Sequence, residues 1–114
     1  MKSMINYNRW DILLVPFPFT DLTSTKKRPA LVISPDEYNL RKDLIIIFIT
    51  SHLTVDKKAG DYRIKEWAKS NLPKPSMIRM KFATIDQSMV IKKIGKLSKK
   101  DIQEFHKILT KFFS

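Results

Sequence analysis

The stretch at residues 43–50, DLIIIFIT, constrains the fold more than any other part of the chain. It is the most β-branched run in the sequence, and its apolar residues do not alternate with polar ones. A strand of this kind is covered on both faces, so it belongs at the centre of a sheet. Neighbouring segments supply partners. Residues 11–15 (DILLV) and 28–34 (RPALVIS) read as the first two strands, with Pro29 near the start of the second. Pro16 and Pro18 follow the first strand and lack the amide donor a ladder needs, so that strand must end, bulge or lie on an edge there.

Residues 20–27 are polar and read as a long first loop, and 35–42 as a polar connection with room for one helical turn. Residues 51–60 form another polar loop, with a turn at Gly60 and Asp61. Residues 62–64 allow a brief strand. KEWAKS (65–70) favours a short helix that stops before Pro73 and Pro75. In SMIRMKF (76–82), Met77, Arg79 and Lys81 share one side and Ile78, Met80 and Phe82 the other. MVIKKIG (89–95) is the last strand.

The C-terminal helix is the strongest local signal. Ser98 can cap the first amides, Asp101 stands three residues on, and Ile102, Phe105, Ile108, Leu109 and Phe112 recur at helical spacing. Strands followed by one helix argue against a doubly wound parallel sheet. The expected fold is mainly β: one 114-residue domain, a small, strongly bent antiparallel barrel with the helix laid across it.

Charge narrows the partners. Lys and Arg number 22 against 11 Asp and Glu, for a net charge of +11 and a pI near 10.0. A field this positive attracts nucleic acid, an anionic membrane or an acidic protein; it also serves solubility alone. There is no cysteine, so disulfides, thiolate chemistry and Cys-based zinc sites are excluded. The N-terminus has no apolar core of signal-peptide length, and residues 44–49, the longest apolar run, cannot span a bilayer. The expected location is the cytoplasm, away from membranes.

Chemistry-bearing residues are few. His52 and His106 are the two histidines, and neither sits in a metal-binding spacing. No phosphate-binding glycine loop or nucleophile elbow occurs, and the acidic residues are too scattered for a two-metal centre. No metal or cofactor is expected. What remains is a set of polar groups at strand ends: Arg28 opening the second strand, and Thr50, Ser51 and His52 where the third stops. If strand geometry persists, Thr50 and His52 share a face. Such a set suits RNA, which carries its own nucleophile in the 2′-hydroxyl. A guanidinium grips phosphate in a planar, bidentate way, and a Thr hydroxyl donates to the same oxygens. The alternative is an ordinary surface cation and an ordinary strand-end hydroxyl.

Residues 10–34, WDILLVPFPFTDLTSTKKRPALVIS, resemble the opening of the MazF/PemK family of toxin endoribonucleases. The likeness continues through FITSHL (48–53), KEWAKSNLPKPSMIRMKFATID (65–86) and IGKLSKKDI (94–102), and covers nearly the whole chain. It implies an SH3-like barrel with a C-terminal helix, a homodimer, cleavage of single-stranded RNA such as mRNA at short sequences, and inhibition by an acidic antitoxin. By the same likeness, Arg28 is the catalytic arginine that stabilises the phosphorane and can assist proton transfer, and Thr50 is the threonine that holds a phosphoryl oxygen. Lys26 and Lys27 add phosphate attraction. Ser51 and His52 lie beside Thr50 as substrate contacts, and Ser76 matches a family serine near the site. Phe17 and Phe19 either stack on bases or plug the end of the barrel.

Two positions depart from the family pattern. Trp10 stands where the family has a turn glycine, which bears on backbone shape more than on catalysis. His52 replaces an amide residue and takes over its contact, with acid–base help as the lesser reading. Two other functions compete. CcdB-like toxins share the architecture but poison DNA gyrase through a C-terminal segment that KILTKFFS does not resemble. A non-catalytic nucleic-acid-binding module needs only the charge.

Overall fold

The computed structural model describes residues 6–17, 26–53 and 58–114. Among the described residues six strands form one antiparallel sheet: β1 (Asp11–Phe17), β2 (Lys26–Val32), β3 (Asp43–Thr50), β4 (Tyr62–Arg63), β5 (Met77–Asp86) and β6 (Lys92–Lys96). Their spatial order is β4-β5-β3-β2-β1-β6. The central strand expected from DLIIIFIT is β3, held between β5 and β2. One helix, α1 (Lys99–Phe112), closes the chain. Short 3-10 turns at Tyr38–Leu40 and Gln87–Met89 link β2 to β3 and β5 to β6.

Both faces of the sheet are buried, as an unbroken apolar strand requires. Alternate residues of β3 go to opposite sides. Ile47 and Ile49 join Ile12, Leu31, Ile78 and Phe105 in a core beneath α1. Leu44 and Ile46 join Leu13, Val15, Ala30, Val32 and Ile85 in a second core on the far face. Burying a side chain such as Phe105, fully enclosed here, is worth roughly 1.5–3 kcal/mol.

The helix begins where the capping pattern places it. Ser98 Oγ accepts from the Asp101 amide at 3.2 Å. Asp101 does more than cap. Its buried carboxylate accepts from the Tyr62 hydroxyl at 2.5 Å, from the Lys65 and Glu66 amides at 2.9 Å each, and from Ser98 Oγ at 3.0 Å. Burial pushes this carboxyl's pKa up, but the donors converging on it outweigh burial and hold it below the usual carboxylate range. Burial first, then the bond to Asp101, pushes the Tyr62 phenol well above its ordinary value.

Residues 65–70 do not form the expected helix. One α-turn closes, from the Ser70 amide to the Glu66 carbonyl, and then the chain reverses. The Asn71 amide bonds Ala68 O, the Leu72 amide bonds Trp67 O, and Asn71 takes φ +67°, the pattern that ends a helix. With Asp101 holding the first amides and Asn71 ending the turn, too few residues remain for a helix to propagate. The boundaries of β6 also move, to Lys92–Lys96, because Gln87–Met89 is a 3-10 turn.

Two backbone positions carry their own chemistry. Trp10 adopts φ +77°, the left-handed region that favours glycine, just before β1. Its ring packs edge-on against Phe105 and His106, with centroids 6.4 and 6.0 Å away. Gly95 leaves β6 room to pass the 65–70 turn, since a Cβ there meets Ser70 O at 2.3 Å. Among the described residues no helix is long and apolar enough to cross a membrane.

Candidate active site

A cavity of about 220 Å³ opens at one end of the second core, lined by Phe17, Arg28, Phe48, Ile49, Thr50, Arg79 and Lys81. Its origin lies in how two strands part. β2 and β3 pair at Ala30↔Phe48, Leu31↔Ile47 and Val32↔Ile46. The same register continued outward brings Pro29 opposite Ile49 and Arg28 opposite Thr50. Beyond Val32, the Ile33 amide bonds Ile45 O across to β3, so Leu31 and Pro29 are the β2 residues whose main-chain groups face β3. Proline has no N–H to give Ile49, and the ladder stops there. β2 stays paired with β1 as far as Lys26, while β3 stays paired with β5 as far as Thr50. The two strands therefore diverge with Arg28 and Thr50 on the same face, one on each side of the gap.

Pro16 escapes penalty for a related reason. It pairs with Lys27 of β2, but β6 reaches β1 only at Asp11–Leu14, so the other edge at Pro16 is open. β1 thus runs on to Phe17, whose ring closes one wall. Phe17 packs on Phe48 with centroids 4.8 Å apart, and the Arg28 guanidinium carbon lies 5.6 Å from its centroid. Stacking of this kind orients a guanidinium plane without neutralising it.

Arg28 is half-buried, and its Nε is enclosed with no hydrogen-bond partner. Its side chain makes no ion pair among the described residues. A buried donor of a charged group left unmet costs free energy until an acceptor arrives. Thr50 ends β3, and its Oγ1 accepts from the His52 amide at 3.0 Å. The hydroxyl's own hydrogen is left to donate. The strand stops at Thr50, so His52 meets Thr50 through its main chain rather than by sharing a strand face. The His52 and Ser51 side chains are exposed and outside the cavity lining.

Lys26 and Lys27 are exposed at the start of β2, next to Arg28. Ser76 is buried, with its hydroxyl donating to Lys74 O at 2.9 Å, and does not line the cavity. Phe19 lies outside the described residues. Arg79 and Lys81 do line it, and in the sequence they are marked only by a shared side of their strand. That alternation was the available signal: odd-numbered residues of β5 fall on the face of Ala83 and Ile85, which is the face of the second core. A bulge helps. Ile47 faces Phe82 whereas Ile49 faces Ile78, so β5 carries two extra residues here. Among the described residues, three cations and no carboxylate therefore line the cavity. Among the described residues no group of three His, Cys, Asp or Glu side chains is placed to share a metal ion.

The chain belongs to the PemK-like, MazF-like toxin family of type II toxin–antitoxin systems, whose sequence profile matches residues 8–113. Solved structures share the fold at low identity. MazF in a MazE–MazF structure from Deinococcus radiodurans superposes with a TM-score of 0.74 at 16% identity, over 96% of this chain and 97% of that one. An endoribonuclease in complex with its cognate antitoxin, from a mycobacterial species, gives 0.73 at 11% identity, over 95% and 93%. Toxin MazF-mt6 of Mycobacterium tuberculosis gives 0.72 at 17%, over 90% and 95%. No curated protein matches in a sequence comparison.

Proposed function

We propose that this chain is a sequence-selective endoribonuclease that cuts single-stranded RNA without a metal ion, as the toxin of a toxin–antitoxin pair. The observation that carries the reading is the Arg28 guanidinium, without an ion pair among the described residues, lining one cavity with the Thr50 hydroxyl and two further cations. At about 220 Å³ the cavity is below the ~300–1,000 Å³ of pockets that enclose drug-sized ligands, and it suits a phosphodiester with part of its sugar.

In the proposed reaction the 2′-oxygen attacks phosphorus in line, loses its proton and forms the cyclic ester bond. The bond from phosphorus to the 5′-oxygen breaks, and that oxygen takes up a proton. Negative charge gathers on the two non-bridging oxygens as the fifth bond forms. Arg28 offers two parallel N–H donors to them and stays charged at every relevant pH. Thr50, its oxygen already held by the His52 amide, donates its hydrogen to the same group. Donors fixed where charge develops need no reorganisation during reaction. Phe17 and Phe48 keep water from one side. The chain acts as a homodimer and is countered by an acidic antitoxin; the +11 charge and the family membership support that partner.

The test is end-mapping of a mixed-sequence RNA incubated with the protein in EDTA. Expected products carry a 2′,3′-cyclic phosphate or 3′-phosphate and a 5′-hydroxyl, and a 2′-deoxy residue at the cut position blocks cleavage. Intact RNA with folded protein refutes the activity. Cleavage by Arg28→Ala at the parent rate refutes the site.

A further inference from the structure

One phosphate does not account for the charge in the cavity wall. Arg28 alone supplies a bidentate match to a single phosphodiester, yet Arg79 and Lys81 also face the space. Lys81 makes no hydrogen bond or ion pair among the described residues. Arg79 has one ionic neighbour among the described residues, Asp61 Oδ1, 3.9 Å from its Nε, beyond hydrogen-bond reach. Asp61 offsets part of this charge, but Arg28 and Lys81 have no carboxylate partner among the described residues, so an arriving anion still improves the arrangement. The bulge sharpens the point: the two extra residues of β5 fall within Arg79–Lys81, and bulges re-aim side chains.

Arg79 and Lys81 also border a second hollow, of about 320 Å³, with Lys58, Asp61, Met80 and Phe112 among its other walls. The two cations thus form a ridge between two cavities. One side holds Arg28 and Thr50; the other offers an aromatic ring and a thioether. Phe112 is 44% exposed, with Phe113 packed against its ring at a centroid distance of 5.2 Å. Alternating cation and aromatic surfaces suit a single strand, whose phosphates and bases alternate in the same way.

We propose that Arg79 and Lys81 are a second phosphate clamp, which binds the phosphodiester next to the one being cut and leads the strand over the ridge toward Phe112. This rests on the reading that RNA is cut between Arg28 and Thr50. The clamp touches no reacting bond, so it contributes binding held equally in the ground and transition states. Its loss raises KM and leaves the rate at saturation. A clamp on a neighbouring phosphate also makes the enzyme need at least one nucleotide beyond the scissile pair.

The experiment compares the parent with Arg79→Gln/Lys81→Gln on short RNAs carrying one uncharged methylphosphonate, 5′ or 3′ of the cut linkage. In the parent, one of the two placements is expected to lower kcat/KM roughly 10- to 100-fold, the range of a charge-assisted contact. In the double variant that penalty disappears, while KM for unmodified RNA rises. A binding arm uses RNA blocked by 2′-deoxy at the cut position. There the salt dependence of affinity falls by about 0.7 in log–log slope per lost contact, or about 1.4 for both. Arg79→Lys/Lys81→Arg keeps the charges and is expected to restore the slope, which a merely structural role does not predict; matched melting curves guard against misfolding. A double variant with the parent's KM and slope, or one that keeps the methylphosphonate penalty, overturns the clamp. If the parent binds RNA and never cuts it, the enzymatic reading fails, and the slope still decides the clamp.

Discussion

Replacing Asp101 by Asn tests what anchors the helix to the sheet. The change keeps the shape and removes the charge. One carboxylate oxygen, Oδ1, takes the Tyr62 hydroxyl and the Lys65 amide; the other, Oδ2, takes the Glu66 amide and Ser98 Oγ. An Asn can place its carbonyl at only one of these positions. Put at Oδ1, it leaves the Glu66 N–H facing an NH₂ group, while Ser98 can rotate and accept. An unmet buried donor costs about 1–3 kcal/mol, and losing charge assistance on the retained bonds adds about 1 kcal/mol. The expected loss is about 3 kcal/mol, a drop in Tm of roughly 12 °C for a chain of this size. The deficit depends on pH. Asp101 has its pKa lowered by folding, so its contribution is complete above the unfolded value, about 3.9, and is lost as pH falls through the lower folded value. Urea unfolding of both proteins at neutral pH and at stepwise lower pH reads the difference. Parent and variant should converge in acid. A variant within 0.5 kcal/mol of the parent at neutral pH, or a gap that stays constant down to the acid limit, refutes the network as drawn; both thresholds are set by the roughly 1 kcal/mol scale of single hydrogen bonds.

Other outcomes rest on single side chains. Thr50→Val preserves volume and strand preference and removes the donor, so RNA cleavage should fall roughly 10²- to 10³-fold in kcat, as for other fixed donors to developing charge, with Tm little changed; single-turnover rates check it. Gly95→Ala drives a methyl against Ser70 O and should destabilise by about 1–3 kcal/mol, read by thermal melting. Trp10→Gly relieves roughly 1–2 kcal/mol of left-handed strain but gives up ring packing worth about 3 kcal/mol, so the net effect is a loss in urea unfolding. A more stable glycine variant contradicts that balance.

Much of the fold was legible because its local and global preferences agree. Unbroken β-branching put β3 at the centre, and the Ser98–Asp101 spacing with the Phe105 and Leu109 stripe set the helix. Residues 65–70 misled because their propensity is helical, whereas a distant residue, Asp101, holds their first amides. The pairing of Arg28 with Thr50 came from family resemblance; propensity says nothing about which strand ends meet. It has a physical root in Pro29, visible only once the register is known. Arg79 and Lys81 could be sorted to one face by alternation, but a bulge depends on cross-strand register and leaves no local mark.

The gap opened by Pro29 has a consequence for how such a protein can change over time. The residues at its rim sit past the last rung joining β2 to β3, so they contribute little to holding those strands together. Arg28, Thr50 and the cations beside them can be exchanged at small cost to the scaffold, and the scaffold can be repacked without disturbing them. A chain arranged in this way lets the lining of its cavity and the sheet behind it vary independently of one another.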